Sequence, residues 1–211
     1  MRPATAISAD GPMNLLNAVR VASSEVASDK GVLVCMNDDI NAAREVTKTN
    51  TIQVNTFMSS DLGKLGYINN GEAYFYREST RKHTSESEFD IKNINQLPYV
   101  KIIYGHADDD RILIDAAIAA GAQGIVYAGT GNGSIHKNAE VALAEASKQG
   151  IIVVRSSRVG SGAVIDAEQS YIDANFLNGD SLSPQKARIL LSLALTKTKD
   201  PKEIQRMFNE Y

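Results

Sequence analysis

The sequence predicts an α/β chain with parallel strands, and three observations carry that prediction. From Tyr99 onward, short apolar runs alternate with helical patterns, the signature of strand–helix–strand units with right-handed crossovers. Glycines at positions 121 and 150 follow two of the helical patterns, where a helix is expected to stop. Ser183-Pro184 and Asp200-Pro201 each place a capping residue before a proline, the usual opening of a helix.

Taken in order, residues 9–29 read as a helix. Leu15, Leu16, Val19, Ala22 and Val26 fall at helical spacing, Pro12 stands near the start, and Asp29-Lys30-Gly31 ends it. Residues 31–37 form a continuous apolar run, which suits a strand buried on both faces. Residues 51–57 alternate as a half-buried strand does. In residues 66–76, Asn70-Gly71 lies between β-formers and marks a hairpin. Residues 77–98 are polar with few apolar positions and read as a linker between two domains.

The second domain then runs 99–211. A strand at Val100–Tyr104 is followed by a helix at 109–120, a strand at 124–128, a helix at 136–149 and a strand at 151–154. A short strand is expected near Tyr171–Phe176, and two closing helices follow Ser183 and Asp200.

Composition narrows the class. Among 211 residues, 43% are hydrophobic and 22% charged, with a formal net charge of -3. These are ordinary globular values and give no basic surface of the kind a dedicated nucleic-acid binder needs. No apolar run approaches the ~20 residues of a membrane helix. The single cysteine, Cys35, sits in the apolar run 31–36 and reads as a small buried hydrophobe. A chain with one cysteine forms no internal disulfide and fits a reducing compartment. Met1-Arg2-Pro3-Ala4-Thr5 has no basic segment leading into an apolar one, so no signal peptide is read there.

A site is expected beyond the carboxyl ends of the parallel strands. Two loops leave strands there: Gly129-Thr130-Gly131-Asn132-Gly133-Ser134 and Arg155 to Gly162. Both are rich in glycine and small hydroxyls, so their backbone amides can approach a small polar ligand; a flexible connection accounts for them equally well. The first is neither a dinucleotide nor a P-loop motif. His83, His106 and His136 lack metal-ligand spacing. Asp38, Asp39 and Asp108-Asp109-Asp110 read as solvated or helix-start charges. Lys48, between Thr47 and Thr49, is by its residues alone a solvated cation, since a catalytic lysine needs burial or a charge partner.

The whole chain resembles the bacterial L-asparaginases, in particular the type II group. The residues that carry the resemblance are Met1-Arg2-Pro3, Ser8 to Pro12 with Asn14-Leu15, Gly31 to Val34, Met36-Asn37-Asp38, Val46-Thr47-Lys48-Thr49 and Leu65 to Ile68. They continue in order with Gly129, Gly131-Asn132-Gly133, Val154 to Val159, Pro184 to Arg188 and Asp200-Pro201.

The resemblance implies two α/β domains with parallel doubly wound sheets, the first incomplete here. Residues 1–76 would be the second half of the N-terminal domain, 77–98 the linker and 99–211 the C-terminal domain. It implies hydrolysis of L-asparagine to L-aspartate and ammonia through a threonine acyl-enzyme, often with some glutaminase activity, with no metal or organic cofactor. The family's Thr-Gly-Gly-Thr, lid tyrosine and Thr-Asp pair have no counterpart in these residues, so the segment alone is expected to be inactive. Lys48 matches the family's catalytic lysine, with the implied role of activating a hydroxyl from a desolvated place beside an aspartate. Ser134 and Glu168 match substrate contacts, Glu168 pairing with the substrate's amino group. The implied assembly is a homotetramer, a dimer of dimers with sites shared between subunits, and no nucleic-acid or membrane partner. A type II enzyme with a signal peptide would be periplasmic; otherwise the compartment is cytoplasmic. Non-catalytic binding of an amino acid by residues 99–211 is the reading from a different class.

Overall fold

The computed structural model describes residues 2–211. The chain forms two compact units, one ending at Ser87 and the other spanning Glu88–Tyr211.

The first unit opens with helix α1 (Gly11–Ala22) and a 3₁₀ turn at Glu25–Ala27. Six short strands follow: β1 (Leu33–Met36), β2 (Asp39–Ala42), β3 (Thr47–Lys48), β4 (Phe57–Met58), β5 (Gly66–Asn69) and β6 (Glu72–Phe75). β1-β2-β5-β6 form a four-stranded sheet, and β3-β4 a separate ladder. Every pairing in this unit is antiparallel. The parallel sheet expected of the first domain is therefore not what these residues build.

Two tight turns account for the difference. Asn70 and Gly71 have φ of 50° and 82°, and join β5 to β6 as the sequence predicts. Asn37 and Asp38 have φ of 52° and 60° and join β1 to β2 in the same way. Two successive positive-φ residues match the right-handed twist of a hairpin, and Asn and Asp tolerate that region better than other residues with a Cβ. The apolar run at 31–37 is accordingly one arm of a hairpin, and Cys35 is half-buried rather than buried.

Other boundaries shift for local reasons. The helix expected to reach residue 29 stops at Ala22, and the Ser23 hydroxyl donates to the Arg20 carbonyl at 3.0 Å. Serine competes for backbone groups in this way and favours helix ends. The strand expected at 51–57 survives only as Phe57–Met58. The Asn50 side-chain oxygen accepts from the amides of Ile52 and Gln53 at 2.9 and 3.1 Å, which folds the preceding residues into a turn.

The second unit is the parallel structure expected. It comprises β7 (Val100–Tyr104), α2 (Ile112–Ala119), β8 (Gly124–Gly129), α3 (Lys137–Lys148), β9 (Ile152–Ser157), α4 (Gln169–Asp173), β10 (Leu177–Asn178), α5 (Pro184–Ala194) and α6 (Pro201–Glu210). The strand order is β10-β9-β8-β7, all parallel. Tyr171–Phe176, expected as a strand, instead contributes the end of α4 and the turn into β10. Strand β9 extends three residues beyond the predicted 154, so Arg155 to Ser157 belong to the sheet and not to the loop.

Alternation along the strands divides the core into two layers. Ile103, Ile125, Tyr127 and Val153 pack with Ile114 of α2 and Ala139, Leu143 and Ala146 of α3. Val100, Val126, Ile152 and Val154 pack with Leu191 of α5 and Ile204 and Phe208 of α6. Helices on both faces explain why these strands read as continuous apolar runs. α6 starts where the Asp200 carboxylate accepts from the Lys202 amide at 3.0 Å, while Ser183 makes no side-chain cap for α5. No helix among the described residues is long and apolar enough to cross a membrane.

Leu143 is fully buried between α3 and the sheet. Leu143→Ala is expected to lower unfolding free energy by about 2–5 kcal/mol, read as a shift in the denaturant midpoint with an unchanged slope.

Candidate functional site

Three loops rise from the carboxyl ends of β7, β8 and β9, at residues 105–111, 130–136 and 158–168. A single buried cation organises two of them. Arg155 lies near the end of β9 and is 1% exposed. Its guanidinium donates to the carbonyls of Asn132 (2.6 Å), Gly133 (3.4 Å) and Ile165 (3.3 Å), and to Asn178 Oδ1 (2.9 Å). Its Cζ sits 4.5 Å from the centre of the Tyr171 ring. Burial pushes its pKa down, while the charges of Tyr171, Asp166 and Glu168 oppose that shift. Asn178 in turn donates to Asp166 Oδ1 at 2.5 Å, and Asn132 Oδ1 accepts from the Ile165 amide at 2.9 Å.

The β8 loop is closed on itself. Thr130 and Ser134 form an isolated antiparallel bridge, with the Ser134 amide donating to Thr130 O at 2.8 Å. A side chain at Gly129 would lie 2.4 Å from the Ser134 carbonyl, so this close turn excludes a Cβ. The Ser157 hydroxyl donates to Gly131 O at 2.6 Å and the Arg158 amide to Gly129 O at 2.9 Å.

At the β7 end, Tyr127 donates its hydroxyl to Asp109 Oδ2 at 2.5 Å. Both groups are buried, at 1% and 3% exposure. His106 Nε2 lies 3.4 Å from Asp109 Oδ1. Desolvation first, and then the hydrogen bond to Asp109, raise the Tyr127 pKa above its ordinary 10.0. A Cβ at Gly105 would fall 2.3 Å from the Tyr127 hydroxyl, so glycine there lets the phenol reach the carboxylate.

The residues expected to act are placed as follows. Ser134 is exposed, and its hydroxyl has no hydrogen-bond partner among the described residues. Glu168 stands at the N-cap of α4, exposed, and its side chain caps nothing. The guanidinium of Arg155 ties together the loops that carry these two residues. Lys48 belongs to the other unit, in β3 opposite Phe57 of β4. It is exposed, and among the described residues its ammonium meets no carboxylate. Neither the burial nor the aspartate that its implied role calls for comes from this unit. Its neighbourhood is nevertheless firm, since the Thr49 amide and hydroxyl both donate to Thr56 O, at 2.8 and 2.9 Å.

Asp109 and Tyr127 are not read from the sequence as parts of a site, and Arg155 is read only as the first residue of a site loop, not as a buried cation in the sheet. The signal for Arg155 was a cation directly following Ile151-Ile152-Val153-Val154. Among the described residues, no three His, Cys, Asp or Glu come together as a metal site.

Comparison with known proteins gives two family matches. Residues 1–81 match the N-terminal asparaginase model, and residues 99–208 match the glutaminase/asparaginase C-terminal domain. The chain is 54% identical over its full length to "L-asparaginase 2" of Bacillus subtilis (strain 168), covering 56% of that protein. It is 50% identical to "L-asparaginase 2" of Escherichia coli (strain K12), covering 61% of it. It is 48% identical to the "Glutaminase-asparaginase" of Pseudomonas fluorescens biotype A, covering 59%. In each case the chain spans less than two thirds of the relative's length.

The Tyr127–Asp109 pair has a signed pH consequence. A phenol whose folded pKa is raised contributes stability that is fully present below pH 10.0, its unfolded value, and is lost as pH rises toward the folded value. The stability difference between wild type and Tyr127→Phe is therefore expected to hold from pH 7 to 9 and to narrow above about pH 10, measured by denaturant titration across that range.

Proposed function

The chain belongs to the glutaminase/asparaginase family, and we propose that it serves in an enzyme that hydrolyses L-asparagine to L-aspartate and ammonia. The observation that supports this best is the pair of uncommitted polar groups, Ser134 and Glu168, on two loops held by one buried arginine. An exposed carboxylate that makes no hydrogen bond or salt bridge among the described residues suits the α-ammonium of an amino acid, through a charge-assisted hydrogen bond. Relatives named L-asparaginase at 54% and 50% identity supply the reaction class.

The chemistry is acyl transfer. A threonine hydroxyl, which lies outside the residues matched to a role here, attacks the side-chain amide carbon. The carbon–nitrogen bond breaks with a proton delivered to nitrogen, ammonia leaves, and water hydrolyses the resulting ester. Lys48 is the proposed base that takes the hydroxyl proton. It does so once a neighbouring surface desolvates it and an aspartate stands beside it. Ser134 and Glu168 reach into the site of a neighbouring copy within a dimer of dimers, which gives both groups the cover they lack in one chain. No metal or organic cofactor enters this scheme. Glutamine is the second substrate considered, because a relative at 48% identity is named glutaminase-asparaginase. One methylene separates the two amides and is worth only about 1–3 kcal/mol of discrimination.

The test is ammonia release from L-asparagine, with the intact mass taken on the same sample. The 22.8 kDa chain alone is expected to be inactive, and turnover from it would refute the assignment of the nucleophile to other residues. In the active protein, Lys48→Ala is expected to lower kcat by on the order of 10²- to 10⁴-fold. Glu168→Gln is expected to raise KM by about 10- to 100-fold, the worth of a hydrogen bond to a charged group. Wild-type turnover in Lys48→Ala would remove that residue from the mechanism.

A further inference from the structure

We propose that Arg155 is a positioning residue for recognition of the substrate's α-amino group, acting through the backbone on both sides of Ser134 and Glu168. The inference rests on the reading of those two residues as substrate contacts.

The position itself is unusual for a cation. Along β9 the side chains alternate between the two core layers, Val153 in one and Ile152 and Val154 in the other. Arg155 follows on the Val153 side, over the ring of Tyr171, which belongs to that same layer. A leucine or methionine would fill such a place without the desolvation of a charge. No carboxylate reaches the guanidinium among the described residues, so it is not half of a buried ion pair. Its partners are three backbone carbonyls and one carboxamide. A planar fork of five donors is the side chain that can hold several diverging acceptors at once.

The carbonyl acceptors lie on the N-terminal side of the two proposed contacts. Asn132 O and Gly133 O immediately precede Ser134, and Ile165 O lies three residues before Glu168. On the far side of each contact stands Tyr171. Its hydroxyl accepts from the Ile135 amide at 3.1 Å, and its own amide donates to Glu168 O at 3.1 Å. The guanidinium and the ring stacked beneath it thus fix the chain before and after both residues, and leave the Ser134 hydroxyl and the Glu168 carboxylate uncommitted. Asn178 extends the same hold, accepting from Arg155 and donating to Asp166.

The α-amino group is remote from the reacting amide. Loss of its contact removes binding common to ground and transition states, which raises KM and spares kcat. A lysine at 155 keeps the charge but brings a compact ammonium that cannot span the four acceptors.

The deciding experiment compares L-asparagine with succinamate, the same amide without the α-amino group, in the active protein. Arg155→Lys is expected to raise KM for L-asparagine by about tenfold with kcat within about threefold, and to leave kcat/KM for succinamate nearly unchanged. Equal losses on both substrates, or a loss in kcat alone, would make Arg155 merely structural and overturn the proposal. If Arg155→Lys fails to fold, Asn178→Ala removes a single guanidinium contact. It is expected to show the same selective effect at about threefold, a smaller share of the same binding term, and no selectivity there refutes the idea. Glu168→Gln tests the underlying reading separately, because a variant that keeps the wild-type preference for L-asparagine over succinamate sinks the Glu168 assignment whatever Arg155 does. Should the wild type turn over neither amide, the proposed function falls. Calorimetry with L-aspartate against succinate then carries the same comparison of affinities.

Discussion

A guanidinium buried at the end of an apolar strand is the constraint on which the upper face of the second unit depends. Arg155 has left water almost completely, and a charge in that position must find hydrogen bonds or lower the stability of the fold. Because its acceptors are mostly main-chain carbonyls, the loops at 131–134 and 164–166 cannot take arbitrary paths. They must present oxygens to one plane. The tight turn at Gly129, closed to any Cβ by the Ser134 carbonyl, belongs to the same requirement. So does the bridge between Thr130 and Ser134, which turns the loop back on itself.

The two units meet their folding requirements differently. In the second, a parallel sheet covered on both faces buries a layer of apolar side chains on each side. That sheet is a rigid base, and the loops stand on it at the carboxyl ends of the strands, where rigid scaffolds usually carry function. In the first, the one buried cluster is Val21, Ile40 and Ile68 with a few half-buried neighbours, and Ala42, Val46 and Leu65 are buried beside it in the chain among the described residues. Helix α1 keeps Leu15 and Val19 at 69% and 58% exposure, so it buries little of its apolar surface within the described residues. Hairpins make up most of that unit, and their register comes from turn residues more than from a core.

Much of the second unit was legible in the sequence because its signals are local and agree with one another. Apolar runs of strand length, glycines after helices and the two cap–proline pairs all point to the same elements. The first unit was less legible. Asn37-Asp38 is a hairpin turn without glycine, so the run at 31–37 looked like a strand buried on both faces. At 51–57 the alternation was genuine but lost to Asn50, whose side chain captured the amides that a strand would have used. Ser134 lay in a loop that the strand order already marked, but its role, like the position of Glu168, was reachable through the family resemblance alone, since neither lies in a pattern that chemistry makes diagnostic. Arg155 was visible as a residue but not as a buried one, because strand length is set by pairing with β8, which continues to Ser157.

The geometry also separates what Glu168 needs from what Lys48 needs. An exposed carboxylate facing an ammonium in water gains little, because both are already well solvated. On the proposed reading, its pairing becomes selective only when a neighbouring surface excludes water, and the backbone near it is held by Arg155 and Tyr171. For Glu168, cover is enough. Lys48 stands on a ladder pinned by Thr49 and Thr56, but it is exposed and its ammonium meets no carboxylate among the described residues. Desolvation disfavours the charged form of a lysine and a neighbouring carboxylate favours it, so a lysine base depends on the balance of the two. On the proposed roles, recognition by Glu168 draws on scaffolding within one unit, whereas proton transfer at Lys48 would call for groups that β3 and β4 do not supply.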